Sequence, residues 1–201
     1  MILKNINLHR GTKNIFSNLN LEFINPGLNI VKGDNGSGKS SLLMLASGVL
    51  LSDKGRIIWG NNTDKNEWLQ KHIFIKHSPS LSEELTVEEN LKLWCGIRGW
   101  EVDEIELEQN LKEMDIHNYK KFYIAECSAG VKKKTELSKL NFKNSLNLNY
   151  WLLDEPSNEL DKKGKFVLKN LIDKFLKNSG TIIMTSHEEI INYKRYNLIE
   201  I

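Results

Sequence analysis

The residues carrying the most chemistry lie between Gly33 and Ser40. The run Gly33-Asp34-Asn35-Gly36-Ser37-Gly38-Lys39-Ser40 satisfies G-x-x-x-x-G-K-[ST] at every fixed position. Glycines so placed let the backbone curl until successive N–H groups point inward and cradle phosphate oxygens. A helix starting at the end of the loop adds positive potential at its first turn. Lys39 then reaches the β- and γ-phosphates of a nucleotide, the Ser40 hydroxyl ligates Mg²⁺, and Ser41 continues the cradle. The competing explanation is a chance glycine turn. With glycine at about 7% of residues, a random match in a chain this long is on the order of 1%.

A second cluster complements the first. Tyr150-Trp151-Leu152-Leu153 is an apolar run that ends in Asp154-Glu155. An acid at the carboxyl end of a buried strand sits where nucleotide crevices form. Asp154 is the candidate to hold Mg²⁺, directly or through water, and Glu155 the general base that polarises an attacking water. Alone, such a run is common, and the phosphate loop gives it meaning. His187 follows the β-branched run Thr181-Ile182-Ile183-Met184-Thr185. A lone histidine after a strand is more often a surface or capping residue. Beside a strand that ends in the acid pair, it can reach the same γ-phosphate.

These residues need elements to hold them. Asn18 to Phe23 alternates polar and apolar, as a half-buried strand does. Asn25-Pro26-Gly27 reads as a turn, and Leu28 to Val31 as a strand that runs into the glycine loop. Ser41 to Ala46 has the apolar density of a buried helix, and Lys54-Gly55 turns into the strand Arg56 to Trp59. From about Glu83 to Lys143 the chain is rich in Glu, Lys and Leu at helical spacing. Leu85, Leu91 and Trp94 share one face there, and Ile105, Leu107, Leu111 and Met114 another. Lys165 to Leu176 is amphipathic, and Thr181 to Thr185 suits a buried parallel strand. The expected organisation is therefore α/β, with a helical insertion between two halves of a sheet.

Composition bounds the remaining choices. The 201 residues suit one domain, or a core carrying one insertion. Hydrophobic residues at 40% and charged residues at 27% are ordinary for a globular protein, which argues against wholesale disorder. A net charge of +2 is too balanced to predict a nucleic-acid or membrane-surface binder. Cys95 and Cys127 have neither a disulfide framework nor metal-like spacing, which favours a reduced compartment. The first residues, Met1 to Asn5, lack the apolar core of a signal peptide, and no stretch approaches the ~18 apolar residues of a membrane span. No internal repeat or low-complexity segment is evident.

Taken together, the phosphate loop, the acid strand and His187 resemble the ATP-binding cassette (ABC) ATPases. Ser157-Asn158-Glu159-Leu160-Asp161, just after Glu155-Pro156, looks like the family's D-loop, with Asp161 at its acid. Cys127-Ser128-Ala129-Gly130-Val131 stands in the place of the family's Leu-Ser-Gly-Gly-Gln signature, although Ser128 would also cap a helix there. The resemblance spans essentially the whole chain. It implies a P-loop fold with a mixed central sheet, an N-terminal antiparallel β subdomain and a helical subdomain. The core would take in about residues 1–80 and 148–201, and the helical subdomain about 81–147. It further implies a head-to-tail homodimer formed on ATP, in which Ser128, Ala129, Gly130 and Asp161 contact the nucleotide of the opposite subunit. No nucleic acid is expected.

A narrower resemblance is to the haem exporter protein A group, the ATPase of cytochrome c maturation. It rests on Ser-Ala-Gly at the signature, the strand Lys54 to Trp59, His77-x-Pro79 ahead of Glu84 to Leu91, Trp151 in the acid strand, and the short tail after His187. This implies membrane-embedded permease partners, a peripheral place on the cytoplasmic side of the inner membrane, and coupling of hydrolysis to haem export or to release of a haem-loaded chaperone. The alternatives are another ABC exporter, or a nucleotide-gated switch that hardly hydrolyses. Four positions depart from the family pattern. Its Q-loop glutamine falls at Ser78, which reaches a metal only through a water. Cys127 and Val131 replace the ends of the signature. The adenine-stacking aromatic falls near Arg10, which offers a guanidinium stack instead. Slow, partner-dependent turnover is the expectation.

Overall fold

The computed structural model describes residues 1–60, 65–186 and 196–201. In chain order the strands are β1 (Ile2–Arg10), β2 (Lys13–Glu22), β3 (Gly27–Lys32), β4 (Lys54–Ile58), β5 (His72–Ile75), β6 (Tyr150–Leu153), β7 (Thr181–Thr185) and β8 (Tyr196–Glu200). The helices are α1 (Lys39–Ser47), α2 (Lys65–Lys71), α3 (Val87–Ile97), α4 (Glu104–Glu113), α5 (Ala129–Ser138), α6 (Lys143–Leu146) and α7 (Lys162–Lys177). They divide into two compact units. One comprises Met1–His77, Asn149–Glu155 and Leu176–Ile201; the other comprises Ser78–Leu148 and Pro156–Phe175.

The first unit holds both sheets. A three-stranded antiparallel sheet runs β2-β1-β4, and a five-stranded sheet runs β5-β6-β7-β3-β8 with parallel pairing throughout its described ladders. Strands β6 and β7 lie inside the sheet, and every one of their residues is buried. That is why both read as unbroken apolar runs rather than as alternations. Helix α1 is buried nearly all round through Lys39, Leu42, Leu43, Leu45 and Ala46. Leu3, Ile6, Leu8 and Phe16 of the antiparallel sheet share one core with those leucines and with Val31, Leu152 and Ile183 of the parallel sheet. Burying each large aliphatic side chain contributes about 1.5–3 kcal/mol. The sheet sandwich thus fixes the first turn of α1, and with it the end of the glycine loop.

The second unit is helical, and among its described residues the only β feature is an isolated bridge between Thr86 and Tyr123. Leu107, Leu111 and Met114 face its interior as expected, but Ile105 is 78% exposed. Ile105 stands two residues before Leu107, about 200° around a helix with 3.6 residues per turn, so it points to the opposite side. The segment that follows Ser78 is tied down by polar contacts. Glu136 on α5 is buried, accepts the Ser80 N–H at 3.0 Å and pairs with Lys139 at 2.8 Å, while Lys139 also donates to the Ser80 carbonyl at 3.3 Å. Asn90 grips Ser82 through both its N–H and its carbonyl. A buried pair of this kind is a weak source of stability, but its hydrogen bonds fix one register of the loop. No helix among the described residues is long and apolar enough to cross a membrane.

Candidate functional site

Strand β3 delivers the chain to Gly33, and α1 receives it at Lys39. Between them the loop is closed by Ser37 N–H donating to the Asp34 carbonyl at 3.1 Å. A Cβ on Gly33 would fall 2.1 Å from the Ile201 carbonyl oxygen and 2.7 Å from Ser37 Oγ, so only glycine fits there. Gly38 caps α1 in a left-handed conformation, φ 110°, which suits glycine alone. Lys39 is buried, and its ammonium donates to the carbonyls of Gly33 and Asp34 at 2.9 and 3.0 Å. Those bonds stretch the lysine along the loop it serves. Ser37 Oγ is buried in the same loop with no hydrogen-bond partner, as a donor meant for a phosphate oxygen would be.

The acid pair comes to this loop through the order of the parallel sheet. Strand β6 pairs with β5 on one side and β7 on the other, and the Asp154 N–H donates to the Ile75 carbonyl at 2.8 Å. Thr185, at the end of β7, ties both acids down. Its hydroxyl donates to Asp154 Oδ1 at 2.8 Å and accepts the Glu155 N–H at 2.8 Å. Glu155 sits at φ 47°, a left-handed conformation that costs a non-glycine residue on the order of 1–3 kcal/mol. Strain of that kind persists where the surroundings hold a side chain in one working position. The Glu155 carboxylate is 17% exposed and lies 3.3 Å from Nδ1 of His77.

The result is one open cleft of about 470 Å³ within the first unit. Arg10, Lys13, Ile15, Asn35, Gly36, Gly38, Lys39, Ser40, Ser41, His77 and Glu155 line it. Of the residues singled out from sequence, the cleft therefore gathers Arg10, the loop and Glu155, with Asp154 joined through Thr185. Arg10 brings no ring to stack, and its guanidinium lies 3.9 Å from Met44 Sδ. Lys13 and His77 line the cleft without having been anticipated, and Lys13 donates to the Gly36 carbonyl at 2.9 Å. Lys13 has no local pattern, and His77-x-Pro79 carries a resemblance without assigning the histidine a role at the site. The hairpin of β1 and β2 brings back the first, and the β5–β6 register the second. His187 lies outside the described residues.

Ser78, Ser128, Ala129, Gly130 and Asp161 belong to the second unit. Ser128 caps α5, accepting the Val131 N–H at 3.3 Å, and Ala129 and Gly130 open that helix. A Cβ on Gly130 would come 3.3 Å from the Glu159 carbonyl oxygen, so the start of α5 packs close to the Ser157 to Asp161 loop. Asp161 Oδ1 accepts the Gly164 N–H at 2.7 Å at the start of α7 and lies 3.5 Å from Lys134. That backbone bond, aided by Lys134, holds its carboxyl below the usual aspartate range. Cys127 and Cys95 are separate buried thiols, and burial raises both, Cys95 to about 12.

Comparison with known proteins agrees with this geometry. The profile of the ABC transporter family matches residues 16–158. The cytochrome c biogenesis ATP-binding export protein CcmA of Nitrosomonas europaea is 32% identical over 193 residues, spanning 94% of this chain and 88% of that protein. The protein of the same name from Histophilus somni is 30% identical over 195 residues, spanning 96% and 88%. Among solved structures, the dimeric post-hydrolysis state of the ATP-binding cassette MJ0796, bound to ADP and Pi, superposes with a TM-score of 0.78 at 20% identity. That match covers 93% of this chain and 88% of the other, and at this identity it speaks for the fold alone.

Proposed function

This chain belongs to the ABC transporter family, and from that premise we propose that it is the ATP-hydrolysing subunit of a membrane exporter, most specifically one that serves haem in cytochrome c biogenesis. The observation that supports the enzymatic reading best is that the phosphate loop and Glu155 line one cleft. Loop N–H groups and Lys39 hold the β- and γ-phosphates. Glu155 takes a proton from a water whose oxygen attacks the γ-phosphorus, and the bond to ADP breaks with its electron pair left on the ADP oxygen. Asp154 and the Ser40 hydroxyl supply the two hard oxygen donors that suit a Mg²⁺ held mainly through nucleotide phosphates. When bound, that ion neutralises phosphate charge. His187 is assigned to the γ-phosphate, and Arg10 to the base.

The same reading extends to assembly. Two copies close head to tail on ATP, so that Ser128, Ala129, Gly130 and Asp161 of one meet the nucleotide of the other, with Ser78 reaching the metal site through a water. Closure is passed to membrane-embedded permease subunits on the cytoplasmic side of the inner membrane. The name shared by the CcmA relatives, an ATP-binding export protein of cytochrome c biogenesis, supports the exporter part of this reading. Hydrolysis is slow without the partners, because Ser78, Cys127 and Val131 lack the side chains the family uses at those places.

Calorimetry and phosphate release on the purified chain test the proposal. Lys39→Ala should abolish heat on titration with magnesium ATP. Glu155→Gln should keep nucleotide binding yet lower turnover by about 10²–10⁴-fold, the usual share of a general base. A binding switch would work equally well with Glu155→Gln in complementation of cytochrome c maturation, which would reject the enzymatic reading. Membrane proteins captured by the Glu155→Gln chain with ATP should include haem-handling subunits. Capture of an unrelated permease would reassign the cargo.

A further inference from the structure

The family's glutamine position falls on Ser78, too short to reach the reacting water, yet the residue before it faces the acid directly. His77 Nδ1 lies 3.3 Å from Glu155 Oε2, and both side chains line the nucleotide cleft with Lys39 and Ser40. This contact is built into the sheet. Strand β5 pairs in register with β6, Ile75 opposite Leu153, and the Asp154 N–H closes onto the Ile75 carbonyl at 2.8 Å. His77 therefore leaves its strand two residues past a fixed point, beside an acid whose backbone Thr185 already holds. The backbone of Glu155 is fixed at φ 47°, but a glutamate side chain still has rotamers to choose among.

We propose that His77 is a positioning residue for hydrolysis: its imidazole holds one carboxylate oxygen of Glu155 so that the other is presented to the attacking water. It takes over the orienting work for which Ser78 is too short. The inference rests on Glu155 being the general base, and orientation rather than proton transfer is the part assigned to His77. Holding a base in one geometry is worth a large rate factor, since a displacement of about 1 Å can cost about 10²-fold. His77 is 56% exposed in its side chain, so its replacement should leave the fold intact.

The test uses the full chain, with ATP hydrolysis followed by phosphate release. His77→Ala should lower kcat about ten- to a hundredfold with the KM for ATP unchanged. His77→Asn, whose side-chain amide can stand where Nδ1 stands, should restore most of the loss. In the Glu155→Gln chain, adding His77→Ala should cost nothing further. The imidazole nitrogens of His77 should also shift in NMR spectra on Glu155→Gln, a readout that needs no turnover. An alanine variant with wild-type kcat beside an inactive Glu155→Gln overturns this inference and leaves Glu155 as the base. A rise in KM alone, no rescue by asparagine, or an unmoved imidazole signal also overturns it. Wild-type hydrolysis by Glu155→Gln instead removes the base assignment itself.

Discussion

At Gly38 two demands meet in one residue. Its φ of 110° is one that L side chains rarely adopt, and a Cβ would lie 2.7 Å from Ile15 Cγ2 and 2.9 Å from Phe16 Cζ. Gly36 has φ 82° but faces only the tip of Lys13, at 3.5 Å. Gly38→Ala should therefore destabilise the protein by about 1–3 kcal/mol through backbone strain and crowding, and Gly36→Ala by less. In thermal unfolding the first should lower Tm by about 5 °C, given roughly 2–4 °C per kcal/mol at this size. Equal melting of the two variants would contradict the role given to Ile15 and Phe16. The glycine loop and the acid pair were legible in the sequence because each is contiguous, so spacing alone reveals it. Thr185, Lys13 and His77 were not, because each joins the site through strand pairing rather than through a neighbour in the chain. Arg10 entered only through resemblance, as the nearest residue to a missing aromatic ring.

Among elements, β1 shows why a strand can hide. Its inward residues are Leu3, Ile6 and Leu8, and the first gap of three breaks the period of two that strands obey. A register shift against β2 between Leu3 and Ile6, with Asn5 at φ 53°, absorbs the extra residue. The alternation read at Asn18 to Phe23 is the regular end of β2, which in fact begins at Lys13. The short strand β5, edge strand β8 and helix α2 are hidden in the sequence for a related reason, being too brief to show a period. Helix α3 carries a start signal in its own sequence. Thr86 accepts the Glu89 N–H at 3.3 Å, and the Glu89 carboxylate returns to the Thr86 N–H at 2.8 Å. That reciprocal cap is the pattern [ST]-x-x-[DE] ahead of an apolar run. Thr86→Ala should cost about 1 kcal/mol, seen as a lower urea midpoint with an unchanged slope, whereas Thr86→Ser should keep most of it. Equal loss in both variants would mean that packing of the methyl group, not the cap, holds the start of α3.

Across the whole molecule the charges are unevenly placed, although their sum is close to neutral. Carboxyl groups held below their usual range cluster in the helical unit. Glu89 is lowered by the amide and hydroxyl of Thr86, Glu104 to about 2 by hydrogen bonds from Lys92 and Lys120, and Asp115 by Lys163. Asp161, lowered by the Gly164 amide, and Glu108 belong to the same unit. The sheet unit contributes Asp53, held down by the His9 side chain and amide. A group whose pKa is lower folded than unfolded adds stability above its unfolded value, near 4, and loses it as pH falls through the folded value. The helical unit should therefore weaken more than the sheet unit as pH drops from about 4 to about 2. Each group is exposed, so each effect is small and falls further with salt. Hydrogen exchange resolved by peptide should then show α3, α4 and the start of α7 losing protection at a higher pH than β3, β6 and β7. Replacing Glu104 with Gln and Asp115 with Asn should narrow that gap, because neutral side chains have no proton left to gain. Simultaneous loss of protection in both units, unchanged by the double variant, would mean that the sheet core and the helical unit unfold as one and that surface carboxylates do not set their order.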